Sequence, residues 1–188
     1  FALTEPGAGS DPRTMKTTAT PIEDGKYYLI NGEKLWISNG NIADILIVMC
    51  LTPPKLERGK EKKQITAFIV ETNTPGFEVT YRCSFMGLHG VKLGLLKFNN
   101  VRVPRENILW GEGLGLKLAF ITLNTGRLTV PAAMTGAGKW CLSVARRWAK
   151  ERKQWGLPIG EHELISSKLS TMASNVLAMD AVTWLTAH

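Results

Sequence analysis

Near residue 110 the apolar residues of this chain change their period, and that change governs what the chain can fold into. Before it, apolar runs are short, rich in β-branched residues and punctuated by Gly, Pro and Asn. Ile45 to Cys50, Ile65 to Glu71, Phe77 to Arg82, Leu93 to Phe98 and Val101 to Val103 all read as strands. Tyr27 to Ile30 and Lys34 to Ile37 flank Asn31-Gly32, a pair suited to a tight hairpin turn with positive φ at both central residues. From Gly115 onward the pattern becomes helical: Val130, Ala133, Ala137, Trp140, Val144 and Trp148 recur at steps of three and four. Pro131, with Gly126, Gly136 and Gly138, predicts a kink or a close helix contact there. A second helix begins near His162, with Ile165, Leu169, Met172, Val176 and Met179 along one face, and Trp155 to Gly160 is a loop by composition. Strands without intervening helices, followed by helices, predict an α+β fold: a small antiparallel β-barrel or sandwich, then the first helices of an α-helical bundle. The boundary falls at Leu109 to Gly113, giving domains at 1–110 and 111–188.

Composition narrows the function classes. A hydrophobic content of 44% with 21% charged residues is that of a soluble globular chain. No apolar run approaches the roughly 18 residues of a membrane span, so no transmembrane segment is predicted. Lys and Arg number 23 against 16 Asp and Glu, and the net charge of +7 suits a polyanionic ligand or nucleic acid equally. The densest cationic cluster, Arg58 to Lys63, lies between two strand runs and carries no interleaved aromatics, so it reads as a solvated hairpin loop and not a nucleic-acid surface. Cys50, Cys83 and Cys141 are odd in number and far apart, which predicts reduced, buried thiols in a cytosolic or matrix-like compartment. No spacing suits a metal. The first residue is Phe and the helical period runs to His188 without a stop signal, so the chain is expected to be an internal piece of a longer protein. The compartment, cytoplasm or mitochondrial matrix, stays open on that account.

Chemistry is concentrated at the start. Phe1-Ala2-Leu3-Thr4-Glu5-Pro6-Gly7-Ala8-Gly9-Ser10-Asp11 runs from an apolar stretch into hydroxyls and glycines. Glycines let a backbone turn sharply and bring N–H groups close to a ligand, and a Thr and a Ser flanking the turn can bond a polar ring and a phosphate. Asp after Ser commonly caps a local turn. Read alone, Trp36 is a core aromatic and Thr4 and Ser38 are ordinary strand-end hydroxyls.

The whole string resembles the first signature segment of the acyl-CoA dehydrogenase family of flavoproteins. Asn31-Gly32-Glu33-Lys34-Leu35-Trp36-Ile37-Ser38-Asn39-Gly40 follows at that family's usual separation. Val101 to Leu109 and Glu151-Arg152-Lys153-Gln154-Trp155-Gly156 complete four matches in order. The resemblance implies a middle β-domain followed by a C-terminal helical bundle, with FAD as cofactor. It implies FAD contacts at Phe1 and Ile37, with Leu3 (backbone) and Thr4 on the pyrimidine side, Gly9 and Ser10 as phosphate cradle, Trp36 against the ring and Ser38 near N5. Arg152, Gln154, Trp155 and His162 would meet the ADP half of a FAD held by a neighbouring subunit. Glu163, where relatives often carry Gln, departs from the pattern. Ser10, Asn124 and Arg127 are implied as acyl-CoA contacts.

The implied activity is α,β-desaturation of an acyl-CoA thioester in fatty-acid β-oxidation. Hydride passes to flavin N5 and electrons to an electron-transfer flavoprotein, in a homodimer or homotetramer. The required carboxylate base is not matched here: Gly126 stands where some subfamilies place a Glu, and Glu5 is expected to be structural. The base is expected downstream of His188, so this segment alone should not be competent. An acyl-CoA oxidase or another flavoenzyme on the same scaffold is the alternative. A non-catalytic flavin-binding assembly protein is a further one.

Overall fold

A computed structural model describes residues 1–187, so His188, the end of the predicted helical segment, lies outside the described residues. The chain forms two compact units, residues 1–120 and 121 onward.

The first unit is one sheet of seven strands: β1 (Thr18–Ile22), β2 (Tyr27–Ser38), β3 (Ile45–Glu57), β4 (Lys60–Glu71), β5 (Phe77–Arg82), β6 (Leu93–Pro104) and β7 (Ile108–Leu109). Their order is β5-β6-β2-β1-β3-β4-β7. Neighbours are antiparallel except β1 and β3, which run parallel. The sheet curls on itself. Tyr28 of β2 meets Phe68 of β4 with ring centroids 5.1 Å apart, although β1 and β3 lie between those strands in the sheet. The concave face holds Ile30, Val48, Phe68, Val70, Leu96 and Val101, all buried. Period-two alternation on β2, β3 and β6 supplies one side chain in two to this core, and its burial is the main stabilising term.

The α+β class stands, and two local expectations are corrected. Asn31-Gly32 is not a hairpin turn, because β2 runs straight through it. Gly32 has φ +146, and a Cβ there would lie 2.7 Å from the Thr17 Cα, so the glycine serves a close backbone approach. Asn31 instead accepts a hydrogen bond from the Asn100 N–H at 2.8 Å, where β6 carries one extra residue against β2. That bulge lets Leu93–Pro104 continue as a single strand where the sequence suggested two. Strand β1 escaped prediction because Pro21 sits inside it.

The second unit holds most of α1 (Gly115–Glu151) and all of α2 (Glu163–Ala187). Gly138 of α1 lies close against α2, where a Cβ would stand 3.2 Å from Val176 Cγ2, so the expected close approach of the helices is present. Lys139 pairs with Asp180 at 2.7 Å across the same two helices. Between them Lys153–Gln154 (β8) and Leu157–Pro158 (β9) form a hairpin closed by Trp155 (φ 50) and Gly156 (φ 84), both left-handed as a two-residue turn of this kind requires.

Candidate functional site

Strand β2 shows why its end presents groups outward. Tyr28, Ile30 and Lys34 face the core at even spacing. Unbroken alternation would turn Trp36 inward as well. The register prevents this: Lys34 pairs with Leu96 and Ile37 with Gly94, so β2 spends three steps where β6 spends two. The extra residue is absorbed at Trp36, which takes φ 57, a left-handed conformation rare for a bulky residue. As a result Ile37 is buried and Trp36 is 62% exposed, with Ser38 also exposed beside it. A large aromatic held outward in an unfavoured conformation marks a surface that something else covers. Ile37 itself packs into the core, so only its backbone is available to a ligand.

The first eleven residues are tied onto the same region. Ala2 bridges β3 through Ala2 N–H to Ile47 and Met49 N–H to Ala2. The Leu35 N–H donates to the Thr4 carbonyl at 2.9 Å, which fixes Thr4 against the residue preceding Trp36. Glu5 and Ala8 then bond each other's backbone both ways, closing a small loop around Pro6-Gly7. Neither Gly7 nor Gly9 has positive φ, and a Cβ at either would meet nothing within 4 Å. The turn therefore does not require glycine, and what glycine leaves at Gly9 is open space beside an exposed backbone. Ser10 lines a cavity of about 310 Å³ with Leu116 and Phe120 at its other side. Asp11 caps the short turn Pro12–Thr14 by accepting from the Arg13 N–H at 3.1 Å. Phe1 is 40% exposed at the edge of this segment.

Beneath the clasp lies a residue that motif reading passed over. Lys34 is fully buried, and its Nζ donates to Glu5 Oε1 at 2.8 Å and to the Leu3 carbonyl at 3.1 Å. Glu5 also accepts from the N–H groups of Lys16 (2.6 Å) and Thr17 (3.1 Å). Burial alone would raise the Glu5 carboxyl, but the Lys34 ammonium and the Thr17 and Lys16 bonds outweigh it and hold it below the usual carboxylate range. Burial likewise pulls Lys34 down, opposed by Cys50 and Glu5, and pushes the Cys50 thiol up to about 12. Of the three thiols expected to be buried, Cys50 is, whereas Cys83 is half-buried and Cys141 is exposed. The sequence did carry a signal for Lys34. It lies two and four residues beyond Gly32 and Ile30, on the core-facing phase of β2.

The helical unit holds the remaining candidates in two groups. On α1, Arg127 donates to Asn124 at 3.0 Å, and both are exposed. At the β8–β9 hairpin, Trp155 is 88% exposed and its ring meets His162 edge-on at 5.5 Å. His162 Nε2 lies 3.1 Å from the Gln154 carbonyl, and the Arg152 carbonyl accepts from the Ile159 N–H at 2.7 Å. Arg152, Gln154 and Trp155 are exposed and His162 is half-buried, so the four residues share the hairpin region, with only the indole and imidazole in ring contact. A larger cavity of about 490 Å³ lies elsewhere, between Thr18–Thr20 and Leu51–Pro54, and includes none of the predicted residues. Among the described residues no cluster of three metal-ligating side chains occurs, and no helix is long and apolar enough to cross a membrane.

Comparison with known proteins agrees along the whole chain. The family description "Acyl-CoA dehydrogenase, middle domain" matches residues 1–101, and "Acyl-CoA dehydrogenase, C-terminal domain" matches residues 113–188. The probable acyl-CoA dehydrogenase FadE10 of Mycobacterium tuberculosis is 48% identical over all 188 residues, which span 28% of that protein. Butyryl-CoA dehydrogenase from Megasphaera elsdenii superposes with a TM-score of 0.84 at 39% identity, covering 98% of this chain and 47% of that one. An acyl-CoA dehydrogenase from Bacillus anthracis, solved with FAD, gives a TM-score of 0.83 at 34% identity over 97% of this chain and 30% of its own. The chain therefore spans less than half the length of these relatives. With its sheet and its helices matched in the same order, this chain belongs to the acyl-CoA dehydrogenase family.

Proposed function

We propose that the full-length protein is an FAD-dependent acyl-CoA dehydrogenase. It would desaturate an acyl-CoA thioester between Cα and Cβ and pass electrons to an electron-transfer flavoprotein. The observation that carries this reading is the clasp in the sheet unit: an outward indole at a bulge, a hydroxyl two residues on, and the Leu3–Thr4 backbone bonded to the residue before the indole.

The residues present fit a flavin on structural grounds. An isoalloxazine needs a flat apolar face and polar groups at its rim. Trp36 offers the face, Ser38 and Thr4 offer hydroxyls, and the space beside Gly9 leaves room for a phosphate. Bound FAD supplies a two-electron acceptor that takes hydride from the β-carbon of a substrate. Trp36 holds the ring by contact, Thr4 and the Leu3 backbone orient its pyrimidine side, and Ser38 donates near N5. Ser10 bonds the phosphate or substrate at the mouth of its cavity. Asn124 and Arg127 contact the acyl-CoA, with Arg127 supplying positive charge toward its polar part. Arg152, Gln154, Trp155 and His162 bind the ADP half of a FAD in a neighbouring subunit, with the Arg152 fork suited to pyrophosphate oxygens. This role makes the assembly a homodimer or larger. The α-proton needs a carboxylate base, and Gly126, just before Arg127, cannot be one. We place the base outside the described residues.

The test is anaerobic mixing of the purified full-length protein with a panel of acyl-CoA thioesters. Bleaching of the flavin band by at least one thioester, with slow reoxidation in air and fast reoxidation by an electron-transfer flavoprotein, is the expected result. Absence of bleaching by every thioester contradicts the dehydrogenase assignment, and rapid peroxide formation in air turns it into an oxidase.

A further inference from the structure

We propose that the buried Lys34–Glu5 pair tunes and positions the flavin site through the Leu3–Thr4 peptide, an inference that rests on the flavin reading above. Lys34 is the largest fully buried side chain among the described residues. Burying an ammonium is costly, and an apolar side chain of similar volume commonly serves stability as well or better. The arrangement therefore calls for a role besides packing.

The bonds show where the charge acts. Lys34 Nζ donates to the Leu3 carbonyl, and the Thr4 N–H is the other end of that same peptide group. The Thr4 carbonyl is already taken by the Leu35 N–H, whereas the Thr4 N–H bonds no group among the described residues. Thr4 itself is half-buried. An ammonium on the carbonyl polarises the peptide and makes the opposite N–H a stronger donor. Glu5 holds the ammonium in place, because its carboxylate is itself fixed by the backbone N–H groups of Lys16 and Thr17. The pair also ties the first segment to β2 immediately before the bulge that turns Trp36 outward. A stronger donor at the pyrimidine edge favours whichever flavin form carries more negative charge there, which is the reduced one. Lys34 thereby raises the flavin reduction potential, and Glu5 limits the rise by supplying the counter-charge.

Opposite signs distinguish this from a merely structural role. In the full-length holoprotein, Lys34→Met and Glu5→Gln are compared with wild type for FAD dissociation constant and for midpoint potential, by equilibration with reference dyes. Lys34→Met is expected to lower the preference for the reduced form about tenfold, which for a two-electron couple is about 30 mV. In Glu5→Gln the amide oxygen can still accept from Lys34 Nζ and keep it on the Leu3 carbonyl, while the counter-charge is gone, so the potential is expected to rise. An unchanged potential in Lys34→Met, or a fall in Glu5→Gln, overturns the proposal. If Lys34→Met does not accumulate as folded protein, the sign of the Glu5→Gln shift decides alone. A wild-type protein that binds no FAD would sink the flavin reading itself, whereas a yellow wild type with flat potentials across the variants sinks only this inference.

Discussion

Gly9 and Gly32 separate ligand binding from folding, because the chain treats the two positions in opposite ways. At Gly9 the backbone lies outside the left-handed region, and an added Cβ meets nothing within 4 Å. A Gly→Ala change at such a site narrows the unfolded ensemble and is worth about 0.4–1 kcal/mol of stabilisation. At Gly32 the φ of +146 disfavours any side chain, and an added Cβ stands 2.5 Å from Thr17 Oγ1 and 2.7 Å from its Cα. The Thr17 main chain cannot swing aside as a side chain can, so overpacking costs about 1–3 kcal/mol before the conformational strain is added. Gly9→Ala should therefore melt at or slightly above wild type in the apoprotein, yet bind FAD at least tenfold more weakly. Gly32→Ala should melt several degrees lower, with FAD affinity reduced only as far as the folded fraction falls. The assays are thermal unfolding of the apoprotein and equilibrium titration with FAD, both in the full-length protein. Refutation would be a Gly9→Ala protein that binds FAD as wild type does, because the open space at Gly9 would then serve no ligand.

Three further outcomes follow from the packing and the titrating groups. Phe68→Ala removes the ring that Tyr28 meets across the curled sheet and should cost about 3–5 kcal/mol in a urea melt, with a midpoint unchanged from wild type counting against the core assignment. Glu5 has a folded pKa below its ordinary value of 4.5, so the unfolded chain takes up that proton first as pH falls. Its contribution is complete above pH 4.5 and is lost below it through the depressed value, so Glu5→Gln should flatten the acid limb of a stability–pH curve. Tyr28 is raised to about 12 by burial and by its bond to Glu112, so the unfolded chain loses its proton first, from pH 10 upward. Stability should fall between pH 10 and 12, by up to about 3 kcal/mol for a two-unit gap, and Tyr28→Phe should remove that part of the fall.

The sequence carried the change from strands to helices because a period of two and a period of 3.6 leave different marks. The strand Phe77–Arg82 was legible to the residue, since Gly and Pro punctuate it. Asn31-Gly32 misled because a local preference for turning was overridden by pairing: both flanks of β2 have partners, in β1 and in β6. The outward Trp36 was unreadable for a related reason. It follows from a count of residues on two strands remote in sequence, and one chain segment alone does not reveal its partner's register. For Thr4 and Ser10 the residues alone gave only the kind of partner, since hydroxyls flanking a glycine turn suit a polar ring and a phosphate, and the motif resemblance was needed to name the flavin. Lys34 shows the opposite case. Its phase on β2 pointed inward, but a lysine is so seldom buried that the phase was easily discounted.

The most direct test is the structure of the full-length protein with FAD bound. The account predicts the isoalloxazine against the Trp36 indole, its pyrimidine edge at the Leu3–Thr4 backbone and Ser38 close to N5. A flavin found instead in the cavity between Thr18–Thr20 and Leu51–Pro54, with Trp36 still facing solvent, would contradict it.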